Sequence, residues 1–234
     1  MTPILTNDDG IDAPGLQALQ QAVEQLSSEK LALETYFIVA PHEHLSGCSH
    51  QVTTHRPIRV QQRGDTAFAV EGSPADCARL GIRQLCPQAT WVLSGINAGG
   101  NLGADIHISG TVAAVREAAL LGLPAIAISH YRQGKRPIDW SLAARLTATV
   151  LADLLPRPLP TRSFWNVNLP HLEPGAADPD VVICPLSNEP LPTNYRREGD
   201  CFHYAGNYSQ RDRAPGTDVD VCFSGRIAVS LLQL

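Results

Sequence analysis

The chain has 234 residues, 44% of them hydrophobic, and carries 18 Lys and Arg against 23 Asp and Glu for a formal net charge of −5. That length fits one large domain or a domain with an appended arm, and the acidic balance, with no basic run, argues against a nucleic-acid duplex as partner. Six widely spaced cysteines without a Cys-x-x-Cys pair, no basic-then-apolar leader and no run of eighteen apolar residues predict a reduced, cytoplasmic protein with no membrane span.

A short apolar run at 4–5 predicts the first strand, and it ends in Thr6-Asn7-Asp8-Asp9-Gly10. Residues 14–26 read as a helix, with apolar positions at 16, 19, 22, 23 and 26 and Pro14 in the first turn. Strands follow at 36–40, stopped by Pro41, and at 67–70. A Pro-opened helix is predicted over 74–85, and a buried strand over 91–93 runs into Ser94-Gly95-Ile96-Asn97. A helix over 111–121 and a strand over 125–129 complete the alternation. Strand and helix in that order predict a parallel sheet with helices on both faces. Beyond residue 130 come an amphipathic helix over 140–154, a Pro-rich link at 155–160, strands at 164–169 and 181–183, a stretch over 185–217 rich in Pro, Asn, Arg and Gly, and a closing strand at 227–232. The division expected is a Rossmann-like core over 1–155 and, over 156–234, C-terminal strands with an extended arm that completes an oligomer.

The polar motifs all fall just after predicted strands, where open α/β sheets bind ligands. Asp8 and Asp9 are adjacent carboxylates that repel unless something positive lies between them, and a hard divalent cation answers that; a polar turn with Gly10 at positive φ is the competing reading. The segment from His42 to His50 holds Glu43, Ser46 and Ser49; zinc is disfavoured, because His42 and His44 have no third ligand at a known spacing. The segment from Ser94 to Gly103 is Gly-rich and matches neither a P-loop nor a dinucleotide fingerprint. Ser109-Gly110-Thr111 stands at a helix start, a place that suits phosphate or a plain N-cap.

These blocks together resemble the SurE survival-protein family of 5′/3′-nucleotidases. The resemblance runs through Thr6 to Gly15, Val39-Ala40-Pro41 with Ser46-Gly47, Gly72 to Cys77, Ser94 to Gly99, Ser109 to Ala114, Asn166 to Pro170 and Gly216-Thr217-Asp218, in the family's order. It implies a three-layer α/β/α sandwich and one divalent ion per subunit, Mg²⁺ or Mn²⁺, held by Asp8, Asp9, Ser46 and Asn97. It also implies hydrolysis of nucleoside monophosphates and a homodimer or homotetramer with an exchanged C-terminal arm. Asp8, Asp9 and Asn97 are the expected catalytic residues, with Asp8 the preferred acceptor of the attacking water's proton. Asn97, Asn101, Ser109, Gly110 and Thr111 are expected to bind the phosphate. The chain departs from the family pattern at Ile108, usually Tyr, at Ala104, often Asp, and at Gly100, an unusual neighbour for Asn101. A nucleotide-binding regulator without turnover is the alternative from a different functional class.

Overall fold

A computed structural model of the chain describes residues 1–29 and 35–234. Strand β1 (Pro3–Thr6) lies between β2 (Phe37–Pro41) and β5 (Trp91–Asn97), parallel to both. Outward on one side come β4 (Ala67–Val70), parallel to β2, and the antiparallel edge β3 (Val60–Gln62). On the other side β6 (Ala125–His130) and β7 (Ser163–Leu169) continue in parallel. Strand β11 (Ile227–Gln233) runs antiparallel to β7 and parallel to the short edge strand β8 (Val181–Ile183). The sheet order is therefore β3-β4-β2-β1-β5-β6-β7-β11-β8. The C-terminal strands β7, β8 and β11 belong to the same sheet as the first.

Two helical layers cover this sheet. Helices α1 (Pro14–Glu29) and α4 (Trp140–Leu154) pack on one face, where Leu16, Leu19, Val23 and Leu151 meet Leu5, Leu93, Ile126 and Ile128. Helices α2 (Pro74–Leu80) and α3 (Gly110–Leu120) pack on the other, where Cys77, Val112 and Val115 meet Ile4, Val39 and Val92. Strands buried on both faces explain the unbroken apolar runs that mark β1, β2 and β6. Local sequence fixes the helix starts. Ser73 Oγ accepts from the Asp76 amide at 3.1 Å and Asp76 Oδ2 accepts from the Ser73 amide at 3.0 Å, with Pro74 at the first helical position. Asp139 caps α4 by accepting from Leu142 N at 3.0 Å.

Three expectations change. The helix predicted over 74–85 is α-helical only to Leu80 and finishes in a π-helical turn, Gly81–Leu85. The helix predicted over 111–121 begins at Gly110, because Ser109 is its cap and accepts from Val112 N at 3.1 Å. The strand predicted over 36–40 and stopped by Pro41 is Phe37–Pro41 and includes the proline. Within the stretch over 185–217, β9 (Tyr195–Glu198) and β10 (Cys201–Tyr204) form a hairpin that pairs with no other strand among the described residues. Helix α5 (Asp218–Phe223) follows. All six cysteines are free thiols, and no helix of the described residues is long and apolar enough to cross a membrane.

Candidate active site

The carboxyl end of β1 delivers Asn7, Asp8 and Asp9 to the sheet edge. Asn7 turns the chain, its Nδ2 donating to Gly10 O at 2.8 Å and its Oδ1 accepting from Gly10 N at 3.2 Å. Asp8 is buried at 3% exposure. Its Oδ1 accepts the Thr111 hydroxyl at 2.5 Å from the first turn of α3. Burial, assisted by the neighbouring Asp9 charge and opposed by the Thr111 bond, pushes the Asp8 carboxyl up from 3.8 to about 6. Asp9 is more open. Its Oδ2 accepts from Ala98 N at 3.3 Å, and its Oδ1 lies 3.2 Å from His44 Nδ1.

The surrounding loops are tied to this pair. Leu45 N donates to Asp8 O at 2.8 Å, so the exposed Ser46 follows directly on a residue pinned at β1's end. Ser49 N donates to Ile108 O at 3.1 Å and its hydroxyl to His107 O at 2.8 Å, binding the same loop to the approach of α3. Asn97 ends β5, and its Nδ2 donates to Gly99 O at 2.7 Å, which commits the amide and leaves Oδ1 as the free acceptor. Gly110 approaches Asp8 so closely that a Cβ there would sit 2.8 Å from Asp8 Cβ and 3.0 Å from Oδ2. This position requires glycine because a carboxylate occupies the space of a side chain.

The structure thus brings Asp8, Asp9, Asn97, Gly110 and Thr111 together, with Ser46 on the adjoining loop. Asn101 and Ser109 are engaged within the protein. Asn101 Nδ2 donates to Ser129 Oγ at 2.7 Å, and Asn101 N donates to Asn168 Oδ1 at 2.8 Å. Its carbonyl accepts from Asn166 Nδ2 at 2.9 Å and Asn168 Nδ2 at 3.0 Å. The buried Asn101 therefore clamps the Gly-rich loop to β6 and β7. Ser109 Oγ is engaged as the α3 cap, and the Thr111 hydroxyl goes to Asp8. Ile108, by contrast, is 53% exposed beside the site.

Several contributors were not singled out from sequence. His44 meets Asp9. Asp105 Oδ2 accepts from Tyr208 Oη at 2.5 Å, Arg211 Nη1 at 3.0 Å and Leu102 N at 3.1 Å. The alternation Asn166-Val167-Asn168 in a buried strand was the available signal for the clamp, since two polar side chains at i and i+2 share one face.

A mostly parallel α/β/α sandwich with paired carboxylates, an Asn and a helix N-terminus at one sheet edge defines a phosphate-handling class of hydrolase folds. Comparison with known proteins places the chain within it. Residues 4–190 match the profile of the survival protein SurE family, and the chain belongs to that family. A relative from Nostoc sp. is 56% identical over 234 residues, covering all of both chains. The 5′-nucleotidase SurE of Myxococcus xanthus is 37% identical over 239 residues, spanning 98% of this chain and 86% of its own. The crystal structure of the SurE protein from Aquifex aeolicus superimposes with a TM-score of 0.87 at 30% identity, over all of this chain and 93% of that one.

Proposed function

We propose that this chain is a metal-dependent phosphomonoesterase, a 5′-nucleotidase that also takes 3′ esters, releasing nucleoside and phosphate. The observation that carries the reading is the pair Asp8 and Asp9 at the end of β1, Asp8 oriented through Oδ1 by Thr111 and Asp9 through Oδ2 by Ala98 N, with the exposed His44 beside Asp9 Oδ1. The names of the SurE relatives support the reaction.

The donor chemistry fits one Mg²⁺ or Mn²⁺. Asp8 Oδ2, Asp9 Oδ1, Asn97 Oδ1 and the Ser46 hydroxyl are hard oxygen donors, and two neighbouring carboxylates, one of them buried, favour a cation between them. Bound there, the ion supplies Lewis-acid polarisation of a phosphate oxygen and a more acidic water. The rest of the reaction falls to the chain. Asp8, oriented through Oδ1 by Thr111, accepts the attacking water's proton. The first-turn amides of α3 lack partners inside the helix; Ser109 Oγ satisfies that of Val112, that of Thr111 is directed at the Asp8 carboxylate, and that of Gly110 serves the phosphoryl oxygens. Asn101 keeps the Gly-rich loop in place.

The direct test is phosphate release from nucleoside 5′- and 3′-monophosphates after EDTA treatment and after adding back metal. Turnover should vanish with EDTA and return with Mg²⁺ or Mn²⁺. Full activity in EDTA-treated protein refutes the metal requirement. Nucleotide binding without turnover under any condition favours the regulator instead.

Thr111→Val keeps size and branching but removes the bond to Asp8. The loss should lower kcat/KM by about 10- to 100-fold, the range for a hydrogen bond to a charged group. It should also shift the acidic limb of the pH–kcat/KM profile upward, since that bond lowers the Asp8 pKa. An unmoved limb with only reduced stability reduces Thr111 to a packing role.

We also infer a homodimer or homotetramer that exchanges the C-terminal arm, in a cytoplasmic setting. Tyr195, Phe202 and Tyr204 on the β9–β10 hairpin are 60%, 65% and 58% exposed, and a lone two-stranded hairpin is marginally stable in water. Replacing 194–205 by a short Gly/Ser linker should reduce the mass measured by light scattering while the sheet stays folded. An unchanged mass refutes the hairpin's role in assembly.

A further inference from the structure

A cavity lies across the sheet from the carboxylates. It has a volume of about 890 Å³ and opens beyond the carboxyl ends of β6 and β7, between the 131–139 loop, α4 and the segment after β7. Ser129 faces α3's side of the sheet, where its hydroxyl accepts from Asn101. His130, the next residue, points the opposite way, with Ile126 and Ile128 toward α1 and α4. The cavity is therefore distinct from the Asp8–Asp9 site while sharing the ligand-binding edge of the fold.

Its lining is selective. Ile138, Leu142 and Leu172 supply apolar walls. His130, 4% exposed, ends the cavity, and its Nδ1 pairs with Tyr131 O at 2.8 Å. A carbonyl can only accept, so Nδ1 carries the proton and Nε2 keeps a lone pair. His171 stands edge-on to His130 with ring centroids 5.6 Å apart, and its Nδ1 is buried without a hydrogen-bond partner among the described residues. Two ion pairs brace the rim: Arg136 with Glu173 at 2.6 and 2.8 Å, and Arg145 with Asp178 at 2.5 and 2.7 Å. The four charged lining residues, Arg136, Arg145, Asp139 and Glu173, cancel, leaving no surplus charge for a phosphate or carboxylate.

We propose that this cavity binds an uncharged nucleobase, free or carried on a ribose, at a site separate from the carboxylates. A flat heterocycle suits the apolar walls, and a ring or exocyclic N–H suits the His130 Nε2 lone pair, with the His171 ring standing edge-on beside it. The pronounced lowering of the His130 pKa by burial, to about 4, agrees with a neutral ring that accepts at Nε2. The choice of a nucleobase over other neutral heterocycles rests on the proposed reaction, which releases a nucleoside. The site itself does not depend on turnover.

Calorimetric titration of EDTA-treated full-length protein with adenosine, inosine, uridine and adenine tests this without any reaction. At least one of them should bind saturably at one site per chain. Affinity should fall at least tenfold in His130→Phe and in Leu142→Trp, which fills the cavity from a half-buried wall, and stay within twofold in Asp8→Asn. Because His130 is buried, thermal unfolding establishes that each variant is folded, and Leu142→Trp decides if His130→Phe is not. Absence of saturable binding by all four, binding retained in a folded cavity variant, or binding lost in Asp8→Asn overturns the proposal. None of these results bears on the EDTA test of turnover, so the two readings fail separately.

Discussion

Asp8→Asn is expected to lower kcat/KM by about 10²–10³-fold, roughly 3–4 kcal/mol of transition-state stabilisation, and at the same time to raise the unfolding temperature of the metal-free protein. On the proposed reading, activity falls because the substitution takes an anionic oxygen from both the ion's donor set and the attacking water. Stability rises because a buried carboxylate with a second carboxylate beside it is held against its preference for the neutral form. The rise of its pKa from 3.8 to about 6 corresponds to a cost of ~3 kcal/mol for the anion at neutral pH. A carboxyl whose pKa is raised on folding contributes stability that is full below its unfolded value and is lost as pH climbs through the folded one. In EDTA, the stability difference between variant and wild type should therefore grow from about pH 4 to pH 6 and then level. His130 acts in the opposite direction. Its imidazole falls to about 4 from 6.5 on burial, so the unfolded chain takes up the proton first and stability is lost as pH falls from 6.5 toward 4. The wild-type profile carries both slopes along with those of its other shifted groups, and subtracting it from the variant's isolates Asp8. A variant less stable than wild type at pH 7 would show that the Thr111 bond outweighs the charge penalty.

Asp218→Ala is expected to remove about 3–5 kcal/mol of stability, a large part of what a domain has. The Asp218 carboxylate is fully buried and accepts three backbone amides, from Gly103 at 2.7 Å, Ser187 at 2.7 Å and Val219 at 2.9 Å. These belong to the Gly-rich loop, the start of the arm and α5. Alanine strands three buried donors, each at about 1–3 kcal/mol, partly relieved by water and relaxation. Asp218→Asn keeps an accepting oxygen and should lose less. Urea midpoints of the two variants check the order, and equal small losses would show that the junction does not depend on this carboxylate.

The elements whose chemistry is local were legible in the sequence. The apolar runs at β1, β2, β5 and β6 are buried on both faces, and Pro14, Pro74 and Ser109 mark helix starts by rules that need no tertiary contact. Strand β3 was missed because Gln61 and Gln62 lie on an exposed edge and carry no alternation. The hairpin was missed because Arg196, Arg197 and Glu198 read as solvated coil, and only Gly199 at φ +60° marks its turn. At the site, residue types and positions after strands identified the converging carboxylates, but not where each hydroxyl or amide is spent. Thr111 and Ser109 have the composition of a phosphate cradle. Only the distances reveal that one hydroxyl orients Asp8 and the other caps α3, and that Asn101 holds strands together. The bonds from Thr111 to Asp8 and between Asn101 and the β7 asparagines cross more than sixty residues of chain, and a sequence motif carries no record of them.

The position of β11 dictates an order of events during synthesis. Among the described residues the edge strand β8 has β11 as its only neighbour in the sheet, and β11 in turn fills the space between β8 and β7. Residues 181–183 thus leave the ribosome before the strand that will hold them exists, and the open edge of β7, carrying Trp165 and Val167, waits as well. Until residues 227–233 arrive, the nascent chain presents an unpaired parallel-sheet edge with apolar side chains, the feature that most readily recruits another chain. The nine-stranded sheet therefore passes through its most aggregation-exposed moment late, when the carboxylate-bearing end of β1 is already enclosed by β2 and β5.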